Sequence, residues 1–305
     1  MKFLYFLENI RMPVLNEFML LITRFGEETV FLAMLLIVFW CVDKRKGYYL
    51  MAVGFLGTMA NQFLKLFFRV PRPWVLDPQF SILEQARSAA SGYSFPSGHS
   101  QSAVGTFGAI AHCVKNRWVR AACIAIAVLV PFSRMYVGVH TPADVLVGSG
   151  MALALVFALK PVMLQGGHRA MKAIIAVMLA MAVGLLLYVE CWPFPADMDA
   201  ANLTSGVKNG YTMIGCMVGV AISYLAERKY VNFDTKAIWW AQLLKAVLGL
   251  GFVLLIKEGL RAPLEVIFLD HMAARAVRYF LIVVAACVVW PMTFRWFGKL
   301  GEKQK

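Results

Sequence analysis

Charge is scarce in this sequence, and acidic charge most of all. Of 305 residues only 15% are charged, with 17 Asp and Glu against 30 Lys and Arg, while 60% are hydrophobic. An average soluble domain has roughly 25% charged and about 45–50% apolar residues. The composition therefore excludes an ordinary soluble enzyme and points to a bilayer protein. The formal net charge of +13 would suit nucleic acid, but no basic face or nucleic-acid module is present. The basic residues instead fall in short loops between apolar runs, where membrane orientation explains them. Cysteine chemistry is missing too. Cys41, Cys113, Cys123, Cys191, Cys216 and Cys287 form no CxxC pair and lie nearly all inside apolar runs. They read as small buried hydrophobes, with neither a disulfide framework nor a zinc site suggested. The N-terminal stretch lacks the basic–apolar–small order of a cleaved signal peptide. Glu8, Arg11, Glu17 and Arg24 interrupt its apolar residues, which reads as an amphipathic interfacial segment over residues 1–27. There is no internal repeat, no low-complexity tract and no soluble domain of useful size.

What is present is a series of apolar runs. A membrane-spanning helix needs about 20 mostly apolar residues. Nine candidates occur, at residues 29–42, 47–64, 100–114, 118–133, 145–159, 173–189, 209–226, 237–256 and 279–294. The first, third and fifth are short and span only if their ends continue into polar flanks. The loops give an independent test. One side collects sixteen Lys and Arg: Lys44, Arg45, Lys46, Lys115, Arg117, Arg120, Lys160, Arg169, Lys172, Arg228, Lys229, Lys236, Arg295, Lys299, Lys303 and Lys305. The other side collects ten: Lys65, Arg69, Arg72, Arg87, Arg134, Lys208, Lys257, Arg261, Arg275 and Arg278. The positive-inside rule puts the larger set in the cytoplasm, with the N-terminus outside and the C-terminus inside. Two long loops then lie outside, at 67–93 and 191–208; their prolines exclude spans. The expected fold is all-α, a polytopic transmembrane bundle of about nine spans. A core over 28–163 follows the N-terminal segment, and further transmembrane helices occupy 164–305.

Three short segments carry the chemistry, all on the expected outer face. They are Lys65-Leu-Phe-Phe-Arg-Val-Pro-Arg72-Pro73, Tyr93-Ser-Phe-Pro96-Ser97-Gly98-His99, and Ser133-Arg134-Met-Tyr-Val-Gly-Val-His140-Thr-Pro-Ala-Asp144. Lys65, Arg72 and Arg134 are cations where charge bias predicts few. Guanidinium forks match phosphate oxygens, and a Lys adds a point charge. Ser97 and Gly98 precede a helix, whose N–H groups and dipole favour an anion. His140 and Asp144 are four apart, so a helix beginning there would project both from one face. The carboxylate could accept the Nδ1 proton and leave Nε2 free as a nucleophile. His99 is a second imidazole, suited to protonate a leaving alkoxide. Together these residues describe phosphoryl transfer through a phosphohistidine, with cations stabilising the transition state.

Lys-x6-Arg-Pro, Pro-Ser-Gly-His and Ser-Arg-x5-His-x3-Asp resemble the three signatures of the type 2 phosphatidic acid phosphatase / vanadium haloperoxidase superfamily, complete and in order over residues 65–144. The resemblance implies a membrane phosphatase core over 28–163. It implies His140 as nucleophile, Asp144 as its orienting partner and His99 as general acid and then base. Lys65, Arg72, Ser97, Gly98 and Arg134 would hold the phosphate. It also implies a metal-independent reaction with no cofactor, which the lack of a carboxylate cluster beside the histidines suits. Nine spans, an external N-terminus and an external site, with Arg72-Pro-Trp-Val-Leu-Asp77, are similar in layout to the glucose-6-phosphatase branch. That likeness carries no substrate with it.

Taken singly, each of these residues has a bland reading. Lys65 alone would be a snorkelling anchor, and Arg72 or Arg134 alone a solvated loop charge. His99 or His140 alone would be a satisfied polar residue, and Pro-Ser-Gly a turn. Three matched spacings on one face favour the functional reading. Arg69, His112 and His168 keep the bland one. Lys245 lies mid-span, where a charge is costly. It faces a polar cavity, pairs with an acid such as Glu190, or snorkels. Pro131 predicts a kink that aims Arg134. The best reading is a phosphatase of a bacterial plasma membrane, acting on a lipid phosphate monoester or a polyprenyl diphosphate whose tail stays in the bilayer. Hydrolysis of a soluble phosphate such as a sugar phosphate, and transfer to an acceptor other than water, are the alternatives. A homodimer is left open. A haloperoxidase does not fit, because those relatives are soluble.

Overall fold

The computed structural model describes residues 1–300; Lys303 and Lys305 of the basic set lie outside the described residues. Its elements are helices, and the chain divides into two compact units. The first comprises Met1–Leu32, Tyr49–Val162 and Pro193–Gly206; the second comprises Ala33–Tyr48, Met163–Trp192 and Val207–Lys305.

The first unit draws on eight helices: α1 (Lys2–Asn9), α2 (Pro13–Arg24), α3 (Glu28–Ile37), α4 (Lys44–Phe68), α5 (Pro73–Leu76), α6 (Gly98–Cys113), α7 (Arg117–Tyr136) and α8 (Pro142–Lys160). Local chemistry sets their starts. Ser97 caps α6, Asn116 caps α7 through the amides of Trp118 and Val119, and Thr141 caps α8 in a reciprocal capping box with Asp144. α6 packs against α7 and α8, and α1 and α2 pack on α7. α4 joins them where the Tyr49 hydroxyl donates to the Val156 carbonyl at 2.6 Å. Gly148 lets α8 close on the α6 cap, since a Cβ there would strike the Ser97 carbonyl.

The N-terminal helices also fix the long loop before α6. Tyr5 donates to Asp77 at 2.8 Å, and the Arg11 guanidinium donates to the carbonyls of Ser81 and Tyr136. Ser81 donates to Glu8. Leu4 packs with Phe80 and Ile82, while Met19 packs with Tyr136, Val137 and Val139. The opposite side of this segment leaves Phe3, Phe6, Val14, Phe18 and Leu21 exposed.

The second unit contains α9 (His168–Cys191), α10 (Ala200–Ala226) from Val207 onward, α11 (Trp239–Gly259), α12 (Arg261–Ile267), α13 (Ala273–Val284) and α14 (Phe294–Lys299). Wider helical turns occur at Val38–Val42, Glu227–Val231 and Ala285–Val289. Its core is aromatic: Phe39, Trp40, Phe233, Trp290, Phe294 and Phe297 meet mostly edge to face. Lys245 is fully buried here and does not snorkel. Its ammonium donates to the Thr235 carbonyl at 3.0 Å and lies 4.5 Å from the centre of the Phe294 ring; neither bond involves Glu190.

Among the described residues, seven helices are long and apolar enough to cross a bilayer, by length and composition. Pro13–Arg24 and Glu28–Val42 qualify together as a pair bent by 52°. The remaining expected span, α6, is 16 residues long.

Candidate active site

All eight sequence-predicted residues fall in the first unit. Lys65 sits in the last turn of α4, Arg72 precedes α5, Ser97 to His99 open α6, Arg134 sits in the last turn of α7, and His140 and Asp144 straddle the start of α8. Lys65, Arg72, Ser97, Arg134, His140 and Asp144 are buried. Isolated buried charges cost several kcal/mol each, so the arrangement of three cations needs its partners named.

Arg72 is the best anchored. Its Nε, Nη1 and Nη2 donate to the carbonyls of Gly92, Val139 and Ser91 at 3.0, 3.0 and 2.8 Å. Nη1 also lies 2.9 Å from His140 Nε2. A guanidinium can only donate, so Nε2 is the acceptor and the imidazole proton sits on Nδ1. On that side stand Ser94 Oγ at 3.4 Å and Asp144 Oδ2 at 3.5 Å. The carboxylate is itself held by Ser94 Oγ–H at 2.6 Å and the Thr141 amide at 2.7 Å. Burial pushes the His140 pKa well below the ordinary imidazole value, and the fields of Arg72, Arg134 and Lys65 push the same way. The neutral ring with a bare Nε2 is therefore the resting form.

The helix expectation for this pair needs correction. α8 begins at Pro142, and Thr141 is an extended N-cap. His140 therefore lies outside the helix, and the two residues share no helix face. Proline at the first helical position sets the start, and the capping turn folds Asp144 back under His140.

A second correction concerns the α6 terminus. The Ser97 amide donates to the Asp144 carbonyl at 2.9 Å, so it is not free for an anion. The Ser97 hydroxyl oxygen accepts from Ser100 N and Ser100 Oγ, which leaves its own proton to give. A Cβ at Gly98 would meet only Asn61 Oδ1, at 3.6 Å, an ordinary contact. Packing within the chain does not demand glycine there.

Three further groups face the cluster and were not assigned from sequence. Arg134, 0% exposed, donates through Nη1 to Thr23 Oγ1 at 2.8 Å, while its Nε and Nη2 have no partner. Ser94 bridges His140 and Asp144, as above. Asn61 donates to the Pro96 carbonyl at 3.3 Å and leaves Oδ1 unpartnered. Lys65 donates to the Tyr93 carbonyl. Asn61 carried a signal, being a polar residue one helical turn before Lys65 in an apolar run. Thr23 carried none, since 111 residues separate it from Arg134. His99 is half-buried, and its Nε2 lacks a partner.

The cluster thus has a neutral imidazole with an unprotonated Nε2, an unpartnered second imidazole and three cations. Asp144 is the one carboxylate bonded within it among the described residues. Also among the described residues, no three His, Cys, Asp or Glu side chains group as a metal site.

The sequence matches the PAP2 superfamily over residues 45–164 and the PAP2 superfamily phosphatase transmembrane extension over residues 211–303. It is 34% identical over 166 residues to phosphatidylglycerophosphatase B of Bacillus subtilis, covering 50% of this chain and 76% of that one. It is 29% identical over 148 residues to undecaprenyl-diphosphatase BcrC of the same organism, covering 47% and 72%. An undecaprenyl-diphosphatase of Sulfolobus acidocaldarius is 28% identical over 140 residues, covering 45% and 66%. No solved structure matches the chain.

Proposed function

The chain belongs to the PAP2 superfamily, and from that premise we propose that it is a membrane phosphatase whose buried cluster hydrolyses a lipid phosphate monoester or a polyprenyl diphosphate through a phosphohistidine on His140. The observation that carries this reading is the pair of contacts on one imidazole: Arg72 at Nε2, and Ser94 with Asp144 at Nδ1. They leave the lone pair of a neutral ring on the side where three cations converge.

The steps follow from this geometry. The phosphoryl group enters among Lys65, Arg72 and Arg134, and the Arg72 guanidinium exchanges Nε2 for a phosphoryl oxygen. Arg134 Nε and Nη2 gain acceptors, as do the Gly98 and His99 amides at the α6 N-terminus. Nε2 attacks phosphorus, and the bond from phosphorus to the leaving oxygen breaks. His99 takes the proton of the entering phosphate monoanion and passes it to that leaving oxygen. The imidazolium charge that develops on His140 is met by Asp144. Water then attacks the phosphohistidine and yields its proton to His99. The N–P bond breaks, its electron pair returns to Nε2, and inorganic phosphate leaves. The charge that builds on the equatorial oxygens is stabilised by the three cations, the role that a metal fills elsewhere.

A lipid-linked substrate is supported by the relatives, a phosphatidylglycerophosphatase and an undecaprenyl-diphosphatase. The site's position at span ends also lets a tail stay in the bilayer. Charge bias supports an outward-facing site. Rapid quench of the purified protein with 32P-labelled substrate is the test. An acid-labile, base-stable label on wild type, absent with turnover from His140→Ala, is expected. Full activity in that variant would overturn the assignment, and so would a rate lost in EDTA and restored by Mg2+.

A further inference from the structure

The second unit holds a cavity of about 290 Å3 that plays no part in the reaction above. It is lined by Lys44, Arg45, Tyr48, His168, Tyr224 and Arg228, together with Glu227 and the glycine pair before α9. Its size is at the low end for ligand pockets, about 300–1,000 Å3. That suits a headgroup and not a whole lipid.

Three observations make it an anion site. The first is a mismatch at α9. This 24-residue helix starts at His168 with Gly167 as N-cap, no side-chain cap and no acidic residue in its first turn. His168, Arg169 and Lys172 instead add basic groups at the positive end of the helix dipole, where cations are unfavourable. The second is the charge balance. The carboxylate of the lining, Glu227, is committed to Lys44 at 2.8 Å. Among the described residues, Arg45 and Arg228 have no carboxylate within ion-pair distance. The third is Tyr48. It is 5% exposed and lines the cavity, yet its hydroxyl has no hydrogen-bond partner. Its ring is pinned edge-on by Phe39 and Tyr224, so the hydroxyl cannot swing out to solvent. Tyr224 in turn holds His168 Nδ1 at 3.0 Å. Membrane orientation accounts for basic residues in these loops. It does not account for an uncapped helix end and a buried orphan hydroxyl on one cavity.

We propose that this cavity binds a phosphate group, with the α9 amides and the Arg45 and Arg228 guanidiniums on its oxygens and the Tyr48 hydroxyl donating to one of them. The two sources with this chemistry are an anionic phospholipid headgroup and free phosphate. By the charge bias the site faces the cytoplasm, where anionic lipid headgroups are available.

Native mass spectrometry of the full-length protein with added phosphatidylglycerol tests the first source. Thermal stabilisation by inorganic phosphate tests the second. Both compare wild type with Arg45→Gln/Arg228→Gln and with a charge-matched control, Lys229→Gln/Lys236→Gln, whose residues lie outside the cavity. Hydrolysis rates confirm that each variant is folded, and the catalytic site common to all three cancels from the comparison. The expected result is one tightly retained lipid, or a phosphate-dependent stabilisation, weakened about tenfold or more in Arg45→Gln/Arg228→Gln and less than about twofold in the control. A lipid effect alone identifies the headgroup, and a phosphate effect alone identifies the free anion. Equal losses in both double variants, or no difference from wild type with either ligand, would overturn the site. If the arginine pair fails to fold, Tyr48→Phe, which keeps the ring packing, carries the same test.

Discussion

Asp144 Oδ2 accepts two short hydrogen bonds, from Ser94 at 2.6 Å and from the Thr141 amide at 2.7 Å, while His140 Nδ1 stands off at 3.5 Å. On the proposed mechanism Ser94 is a positioning residue: it would aim the carboxylate that orients His140 as nucleophile. A hydrogen bond to a charged group contributes about 1.5–3 kcal/mol, and each 1.36 kcal/mol is about tenfold in rate. Ser94→Ala is expected to lower kcat by about 10- to 100-fold with KM little changed, and Ser94→Thr to recover much of the loss. A change confined to KM would remove Ser94 from this role. The pH profile belongs to the same imidazole. Burial, with Arg72 next, disfavours the imidazolium of His140, so this imidazole, the proposed nucleophile, stays unprotonated below the ordinary value of about 6.5. The acid limb of kcat/KM, which reports the free enzyme, is expected below pH 6.5. It should move upward in Arg72→Gln, because removing a neighbouring cation makes protonation easier. A wild-type limb above 6.5 would contradict the buried, cation-flanked imidazole.

The first turn of α8 does two jobs with one carboxylate. Asp144 closes the capping box on Thr141 and also faces His140. The jobs are separable. Thr141→Val removes the acceptor for the Asp144 amide, a 3.3 Å bond, but keeps the Thr141 amide that holds Oδ2. It is expected to cost about 1 kcal/mol of stability and leave kcat within about threefold. Asp144→Asn keeps the shape but loses the charge and can present an N–H to Nδ1, forcing the wrong tautomer. A loss of about 10³-fold or more in kcat is expected, in line with what a mis-set imidazole costs elsewhere. Parallel unfolding and initial-rate measurements on the two variants check this, and equal kcat losses would merge the two roles. The same turn shows what spacing can reveal. His140-x3-Asp144 announces that the two side chains meet, and they do. The route, through an extended cap ahead of Pro142, depends on where the helix starts. At the α6 cap, the Ser97 amide goes to a carbonyl brought in from α8, a partner that no local pattern could name.

At the scale of the whole chain, the composition and the length of the apolar runs made an all-helical membrane protein legible. The short α6 and the bent pair before α4 are what separate seven long apolar helices from nine expected spans. The contribution of the N-terminal segment was not legible. It reads as an interfacial helix, yet Thr23 bonds the Arg134 guanidinium and Tyr5 and Arg11 tie down the loop before α6. Those contacts need tertiary neighbours that sequence distance conceals. Orientation is the claim that rests on charge alone. Sixteen Lys and Arg fall on one set of loops with the C-terminal tail and ten on the loops of the other side, where the N-terminal segment adds Lys2, Arg11 and Arg24; three of the ten, Lys65, Arg72 and Arg134, are buried in the site. Setting those three aside widens the bias, because a cation kept for chemistry is not a topological signal. The orientation we propose from this bias has the loop before α6 outside and the turn after α10 inside. Two single cysteines can read this in right-side-out vesicles, with the exposed Cys191 first changed to Ser. Gln79→Cys, exposed in the loop, is expected to react with a membrane-impermeant maleimide at once. Lys229→Cys, exposed after α10, should react only once the vesicles are permeabilised. The reverse pattern would turn the phosphate site toward the cytoplasm and restrict its substrates to lipids of the inner leaflet.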